Sequence, residues 1–532
     1  MKRGALFALP VVSATMIWLS SPGGGELSSL SLAMLVPLLC GLARQTKAKR
    51  AFFSGWLCGF AAYLALLYWI VFVLGHYGGL PWFIATPLLM LLTAYMALYT
   101  GLFALGFWFL PRSRPTLCLL VAPALWVGLD WLRGLLFTGF PWMDVGYFLA
   151  FSPWLIQSAD LFGHHGITFL IVMTNVFLYL RFFNPRFAGD SRRQGQFDEA
   201  RFTRAIPGTQ RMFASFLVAV LLYSGASFYF FDTASDPSLR IGVVQGNISQ
   251  DVKWSPENRQ ATLDGYLRQS AALSAAEHPP DLLLWPETAL PFYPQRSPLT
   301  PTLLAFVGQS NTPILTGAPW FELDAAAPDG ARRYNGALLL TPEAGFAATY
   351  FKSHLVPFGE YVPLRQYLPF IAPLVETVGQ FSAGQVKSPM FLANKNARLP
   401  ANIGILICYE SVFPDIARRW VNVGANVLVN LTNDAWYGRS SAPRHSLAMA
   451  ILRAVETRRA LVRAANTGYS AFIDPSGRAR DISPLFAPWA ENGDAVLRGG
   501  RTGYVLCGYL FAPLCLLCSS LALLLVWRRN SR

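Results

Sequence analysis

Six runs of apolar residues, at 52–75, 88–110, 116–137, 161–183, 211–231 and 504–527, are each long enough to cross a lipid bilayer. A helix needs roughly 20 apolar residues to span a hydrocarbon core of ~30 Å, because in lipid each peptide group must be satisfied within its own helix. Any fold open to this chain must therefore place these segments as packed transmembrane helices. Two shorter runs, 5–20 and 29–43, bring the expected count to about eight spans. The first follows Met1, Lys2 and Arg3 as a secretory leader would, yet no small-residue cleavage site follows it, so a leader and a retained span both stay open. With 53% hydrophobic and 14% charged residues in 532, the chain is too apolar for an ordinary soluble protein and too long for one domain.

The net charge of +14 raises nucleic acid as a partner. The positions of the basic residues exclude it. They sit in short stretches between the apolar runs, where membrane proteins carry them on the cytoplasmic side. Arg44, Lys47, Lys49 and Arg50 fill one loop; Arg112 and Arg114 another; Arg186, Arg192, Arg193, Arg201 and Arg204 a third; Arg528, Arg529 and Arg532 the C-terminus. The intervening loops 21–28, 76–87 and 138–160 hold no Lys or Arg. This alternation predicts a transmembrane domain over 1–231 with seven spans, an outward-facing domain over 232–503, and a last span with a cytoplasmic tail over 504–532. In a bacterium with two membranes, the outward side of the inner membrane is the periplasm.

The outward segment reads as alternating strands and helices. Short runs at 241–245, 282–285, 314–317, 337–340, 403–407, 427–430 and 471–473 lack polar alternation, which suits strands buried on both faces, and helices at 256–277 and 444–460 would cover them. The stretch 361–395, with Pro363, Pro369, Pro373 and Gly379 among apolar residues, is expected to be a mobile loop gating a lipid site.

Of seven cysteines, only Cys408 lies in this polar segment. In residues 402–410, NIGILICYE, it closes an apolar strand, so its thiol is presented at the carboxyl edge of a sheet, where α/β folds meet their ligands. A lone buried cysteine is often only core. Two more segments change the balance. Residues 282–290, LLLWPETAL, place Glu287 just past another apolar strand, and residues 350–363, YFKSHLVPFGEYVP, place Lys352 at a strand end with Glu360 after a Pro and Gly turn. Taken singly, each is an ordinary loop charge.

Together, Glu287, Lys352 and Cys408 resemble the constellation of the nitrilase superfamily, in which a glutamate acts as general base, a lysine stabilises the oxyanion and a cysteine carries the acyl group. The chemistry is self-consistent: a neighbouring ammonium is expected to lower the thiol pKa and to stabilise negative charge on the attacked carbonyl. Fusion to a multispan domain narrows the resemblance to the apolipoprotein N-acyltransferase family. It is carried by VVQGNISQDVKW (243–254), LWPETALP (284–291), YNG (334–336), FKSHLVPFGEYVP (351–363), ICYESVFP (407–414), NLTNDAWYG (430–438), RAANTGYSAFIDPSG (463–477) and the membrane segment TGFPW (138–142). The resemblance implies a nitrilase-like α-β-β-α sandwich beside the membrane domain, and catalytic Glu287, Lys352 and Cys408. It further implies supporting or substrate-binding roles for Trp254, Asn335, Glu360, Tyr409 and Glu410. Its implied partners are a phospholipid acyl donor, phosphatidylethanolamine, and a diacylated apolipoprotein acceptor in the bacterial inner membrane, with no metal or organic cofactor. A membrane-tethered amidase or nitrilase, with water as the second nucleophile, would use the same residues. A transporter with a ligand-binding domain fits the reactive trio less well.

Other features read as structural. His164 and His165 have no Cys, Asp or Glu at metal-ligand spacing and look like interfacial histidines. Arg444 and His445 suit either a phosphate head group or a solvated helix start. Asp130 and Arg133, three residues apart in a span, suit a buried pair or a head-group site, and Asp130 stands where the family more often has glutamate.

Overall fold

The computed structural model describes residues 4–184, 199–230, 236–327, 330–361, 381–393 and 399–530. The chain divides into two compact units: Met1–Phe231 with Ser440–Ala448 and Leu506–Arg532, and Asp232–Arg439 with Met449–Val505.

In the first unit the apolar runs are helical. Among the described residues, six helices are long and apolar enough to cross a membrane: Ala48–Leu67, Trp82–Phe109, Pro115–Arg133, Ala159–Phe183, Phe202–Tyr229 and Gly508–Arg529; Phe7–Ser20 and Ser28–Ala43 are shorter apolar helices. Lipid gives apolar helices no hydrophobic reason to associate, so close backbone approach through small residues does the work. Gly55 and Gly59 show it: a Cβ on Gly55 would meet the Ala104 Cβ at 2.3 Å, and one on Gly59 the Thr100 Oγ1 at 2.6 Å.

Among its described residues, the second unit is built on two six-stranded sheets. The first has the order β12-β1-β2-β3-β4-β5, from Trp489–Val496 (β12), Ser238–Gln245 (β1), Leu282–Leu284 (β2), Ile314–Leu323 (β3), Ala331–Thr341 (β4) and Gly345–Phe351 (β5). The second has the order β11-β10-β9-β8-β7-β6, from Ala479–Arg480 (β11), Ala471–Ile473 (β10), Leu461–Ala465 (β9), Val427–Thr432 (β8), Ala401–Ile407 (β7) and Met390–Leu392 (β6). The central strands run parallel, β1 with β2 and β2 with β3, and β7 with β8 and β8 with β9. These are the runs without polar alternation, and β2 and β8 are buried at every residue. The mostly exposed or half-buried β12 pairs antiparallel with β1 at a sheet edge, where polar residues can stay wet, and its sequence WAENGDAV carries no apolar signal.

Helices cover the outer faces. Leu263 and Tyr266 of helix Arg259–Ser274 and Leu303 and Val307 of helix Thr300–Ser310 pack in one core with Leu283, Trp285, Ile314, Leu338 and Leu340. Each such fully buried side chain contributes roughly 1.5–3 kcal/mol. Trp285 is pinned twice, stacked on Tyr266 at 5.0 Å and donating its indole N–H to Ser270 Oγ at 2.9 Å, so the chain leaves β2 toward Glu287 from a fixed point. On the second sheet, helix Pro414–Asn422 seats Trp420 over Gly404, where a Cβ would meet the Trp420 Cβ at 2.8 Å, and the indole donates to the Ile405 carbonyl at 2.6 Å.

Candidate active site

Three strand ends supply the side chains singled out from the sequence: Glu287 follows β2, Lys352 follows β5 and Cys408 follows β7. All three are buried, at 6%, 1% and 8% exposure, which removes the water that would otherwise weaken their mutual electrostatics. Cys408 has φ +51°, in the left-handed region that a side chain adopts only at a cost of ~1–3 kcal/mol. This residue opens the short 3-10 turn Cys408–Val412 and takes the chain off the end of β7.

A chain of hydrogen bonds sets the carboxylates. Asn335 Nδ2 donates to Glu287 Oε1 and to Glu360 Oε1, each at 2.8 Å. Lys352 Nζ lies 2.9 Å from Glu360 Oε2 and 3.7 Å from Glu287 Oε1. The Val356 N–H donates to Glu360 Oε2 at 2.8 Å. Glu360 is thus the main charge partner of the lysine, and Glu287 Oε2 is buried with no hydrogen-bond partner among the described residues. Glu410 does other work. Its Oε1 accepts from Tyr350 OH at 2.8 Å, from Ser353 N and Oγ at 2.6 Å each and from His354 N at 3.2 Å, and its Oε2 accepts from Ile407 N at 2.8 Å. It staples the end of β7, just before Cys408, to the end of β5, just before Lys352.

Lys352 acts on the Cys408 thiol in the expected direction, but burial outweighs it. Burial, reinforced by the Glu287 charge, pushes the Cys408 thiol up to about 12, although Lys352 and a hydrogen bond with Thr432 pull the other way. A lowered thiol pKa does not result. A thiol held this high is protonated at neutral pH, and any attack through it would need a base. Burial opposes the charge on Lys352, but Glu360 and then Glu287 more than offset it and hold the ammonium well above its ordinary value. Half-buried His354, which partial burial and the Lys352 charge push down to about 4, is neutral at pH 7; its ring lies against Phe413 at 3.8 Å, tilted by 34°.

Tyr409 is buried and packs edge-on against Phe413 at 5.0 Å. Trp254 is 42% exposed, and the residue before it, Lys253, reaches inward instead. Lys253, Thr432, Tyr350 and Ser353 were not foreseen from the sequence, though each lies in or beside a quoted motif; nothing in the spacing of those motifs tells which residues point inward. Most of the expected gating loop, 362–380 and 394–395, lies outside the described residues.

The membrane unit corrects two further readings. Arg133, fully buried, pairs with Asp130 at 3.4 Å and with Asp144, and Asp144 Oδ2 lies 3.0 Å from His164 Nε2 and 4.0 Å from His165 Nε2. A carboxylate 20 residues away in sequence therefore does reach the histidines. His164 is 1% exposed rather than interfacial. With Arg133 and His164 already on Asp144, the group reads as a charge network. Nor does Arg444 or His445 open a solvated helix: Arg444 Nε pairs with Glu26 at 3.1 Å and lies over the Phe151 ring, and buried His445 accepts the Trp142 indole N–H at Nδ1, 3.1 Å away.

Residues 13–177 match the family described as apolipoprotein N-acyltransferase N-terminal domain, and residues 240–489 match the carbon-nitrogen hydrolase family. The chain is 37% identical to the apolipoprotein N-acyltransferase of Geobacter metallireducens across 99% of its own length and 96% of the relative's. It is 35% identical to that of Gloeobacter violaceus, covering 95% and 91%, and 33% identical to that of Methylococcus capsulatus, covering 91% and 89%. Among solved structures, an amidase from Nesterenkonia sp. AN1 aligns over 50% of this chain and 92% of its own, at 19% identity and a TM-score of 0.34.

Proposed function

The chain belongs to the apolipoprotein N-acyltransferase family, and on that premise we propose that Glu287, Lys352 and Cys408 form a catalytic triad that moves a fatty acyl chain from a phospholipid to a lipoprotein. The acceptor is the free α-amine of a diacylglyceryl-cysteine at the lipoprotein's N-terminus, and the donor is phosphatidylethanolamine. The observation that carries the reading is the meeting of Glu287, Lys352 and Cys408 in one buried cluster, within a chain that matches this family from end to end.

In the first half, Glu287 Oε2 takes the thiol proton as Cys408 Sγ attacks the ester carbonyl. The oxyanion forms beside the Lys352 ammonium, whose fixed charge lowers the barrier because it is oriented before the reaction starts. The ester C–O bond breaks, Glu287 returns the proton to the leaving oxygen, and a lysophospholipid departs from a Cys408 thioester. In the second half, Glu287 removes a proton from the attacking amine, the C–N bond forms, the C–S bond breaks, and Glu287 passes that proton to the departing Cys408 Sγ, which restores the thiol and the carboxylate. Asn335 and Glu360 are supporting groups that hold Glu287 and Lys352 in register, Glu410 ties the two strand ends together, and Tyr409 and Trp254 are assigned to the surroundings of the acyl chain. Domain boundaries at 1–231, 232–503 and 504–532 tether the catalytic domain at both ends by spans, in the inner membrane and facing the periplasm. Two membrane-anchored substrates then meet the site at a high effective concentration.

The test is to incubate the purified protein with phospholipid labelled in its acyl chain and a diacylated lipopeptide. Label appearing in the lipopeptide is the expected result. Label released as free fatty acid, with the lipopeptide unchanged, would instead make the protein a hydrolase.

A further inference from the structure

Lys253 is a buried cation with no role in the steps above. It ends the four-residue helix Gln250–Lys253, is 1% exposed, and donates from Nζ to the Glu287 main-chain carbonyl at 3.2 Å and to Thr288 Oγ1 at 2.7 Å. Thr288 has φ +46°. A β-branched residue rarely enters the left-handed region, because its branched Cβ crowds the following carbonyl, and something nearby must hold it there. On the other side, Gly317 of β3 presses on the same turn: a Cβ there would meet Thr288 N at 2.3 Å and the Glu287 Cα at 2.6 Å. The Gly317 N–H donates to the Pro286 carbonyl at 3.1 Å, and the Leu290 N–H donates to the Gly317 carbonyl at 3.2 Å.

Lys253 is itself held from the second sheet. Asn466, just past β9, receives the Ile248 N–H on its side chain at 2.9 Å and donates to the Ile248 carbonyl at 2.7 Å; Asn433, just past β8, donates to Gln250 Oε1 at 2.8 Å. The segment carrying the lysine is therefore a strut, fixed at the loops beyond β8 and β9 and ending at the main chain of Glu287.

We propose that Lys253 is a positioning residue for the general base: its ammonium, clamped on the Glu287 carbonyl and the Thr288 hydroxyl, holds the left-handed turn that aims the Glu287 carboxylate at Cys408. This rests on the role given to Glu287 above. Burial pushes the Lys253 amine down to about 8, so the clamp keeps two donors in place whether or not the amine is charged.

The experiment measures single-turnover acylation of Cys408 by phosphatidylethanolamine in the wild type, Lys253→Met, Thr288→Gly and the double variant, with a structure of Lys253→Met. Misplacing a reacting group by an ångström costs about 100-fold, so Lys253→Met should lose roughly that much in the acylation rate constant, with half-saturation by phospholipid unchanged. Glycine adopts positive φ without strain. In the Thr288→Gly background the same substitution should therefore cost under about 10-fold, set against that 100-fold scale. The variant's structure should show residue 288 out of the left-handed region and Glu287 off Asn335. An undiminished loss in the glycine background, or an unmoved turn in the structure, would overturn the proposal. If the wild type forms no thioester at all, the proposed transfer fails, and the structural comparison still decides the part played by Lys253.

Discussion

Burial of Cys408 sets its reactivity more than the lysine beside it does, and this has a measurable signature. A thiol pushed up to about 12 stays neutral far above the ordinary range near 8.5. Because the pKa is raised in the folded state, the neutral thiol favours the fold fully below the unfolded value and that contribution is lost as pH rises toward the folded one. Alkylation of Cys408 by iodoacetamide, followed by peptide mass spectrometry, should keep climbing between pH 9 and about 12. A plateau below pH 9 would mean that Lys352 or another group pulls the thiol down after all. Lys352→Ala should cut acyl transfer by roughly 100-fold or more, the scale of a lost oxyanion donor. Glu287→Gln keeps the shape, removes the base, and should slow both halves of the reaction, read as separate rates of thioester formation and discharge.

Single elements decide whether these side chains meet at all. Glu410 gathers five donors from two strand ends, and Glu410→Gln would turn an amide N–H₂ toward donors that need an acceptor. We expect a loss of at least ~2 kcal/mol, from unmet buried donors, read as a lower melting temperature together with lost activity. An unchanged melting temperature would remove Glu410 as the staple. Such elements were unevenly legible in the sequence. β2, β7 and β8 announced themselves, since strands buried on both faces read as unbroken apolar runs. β12 did not, because an edge strand can be as polar as WAENGDAV and still pair along its whole length with β1. Glu287, Lys352 and Cys408 were visible because each closes an apolar run and together they resemble a known constellation. Lys253 was not, because its importance lies in a contact with main chain 34 residues away that no periodicity encodes. Asp144 reached His164 unforeseen for the same reason.

For the whole molecule, orientation rests on where the basic loops fall. Reporter fusions near residue 195 should report the cytoplasm and those near 320 the periplasm, following the positive-inside asymmetry. The reverse would leave the domain on the wrong side of the membrane for a lipoprotein acceptor. On the proposed mechanism, one sulfur carries the acyl chain between two lipids. Intact mass spectrometry of the purified protein given phosphatidylethanolamine alone tests it directly. One hydroxylamine-labile acyl adduct, mapped to Cys408, is expected; it should be absent in Cys408→Ala and be discharged when a diacylated lipopeptide is added. An adduct on any other residue, or transfer that survives Cys408→Ala, would contradict it.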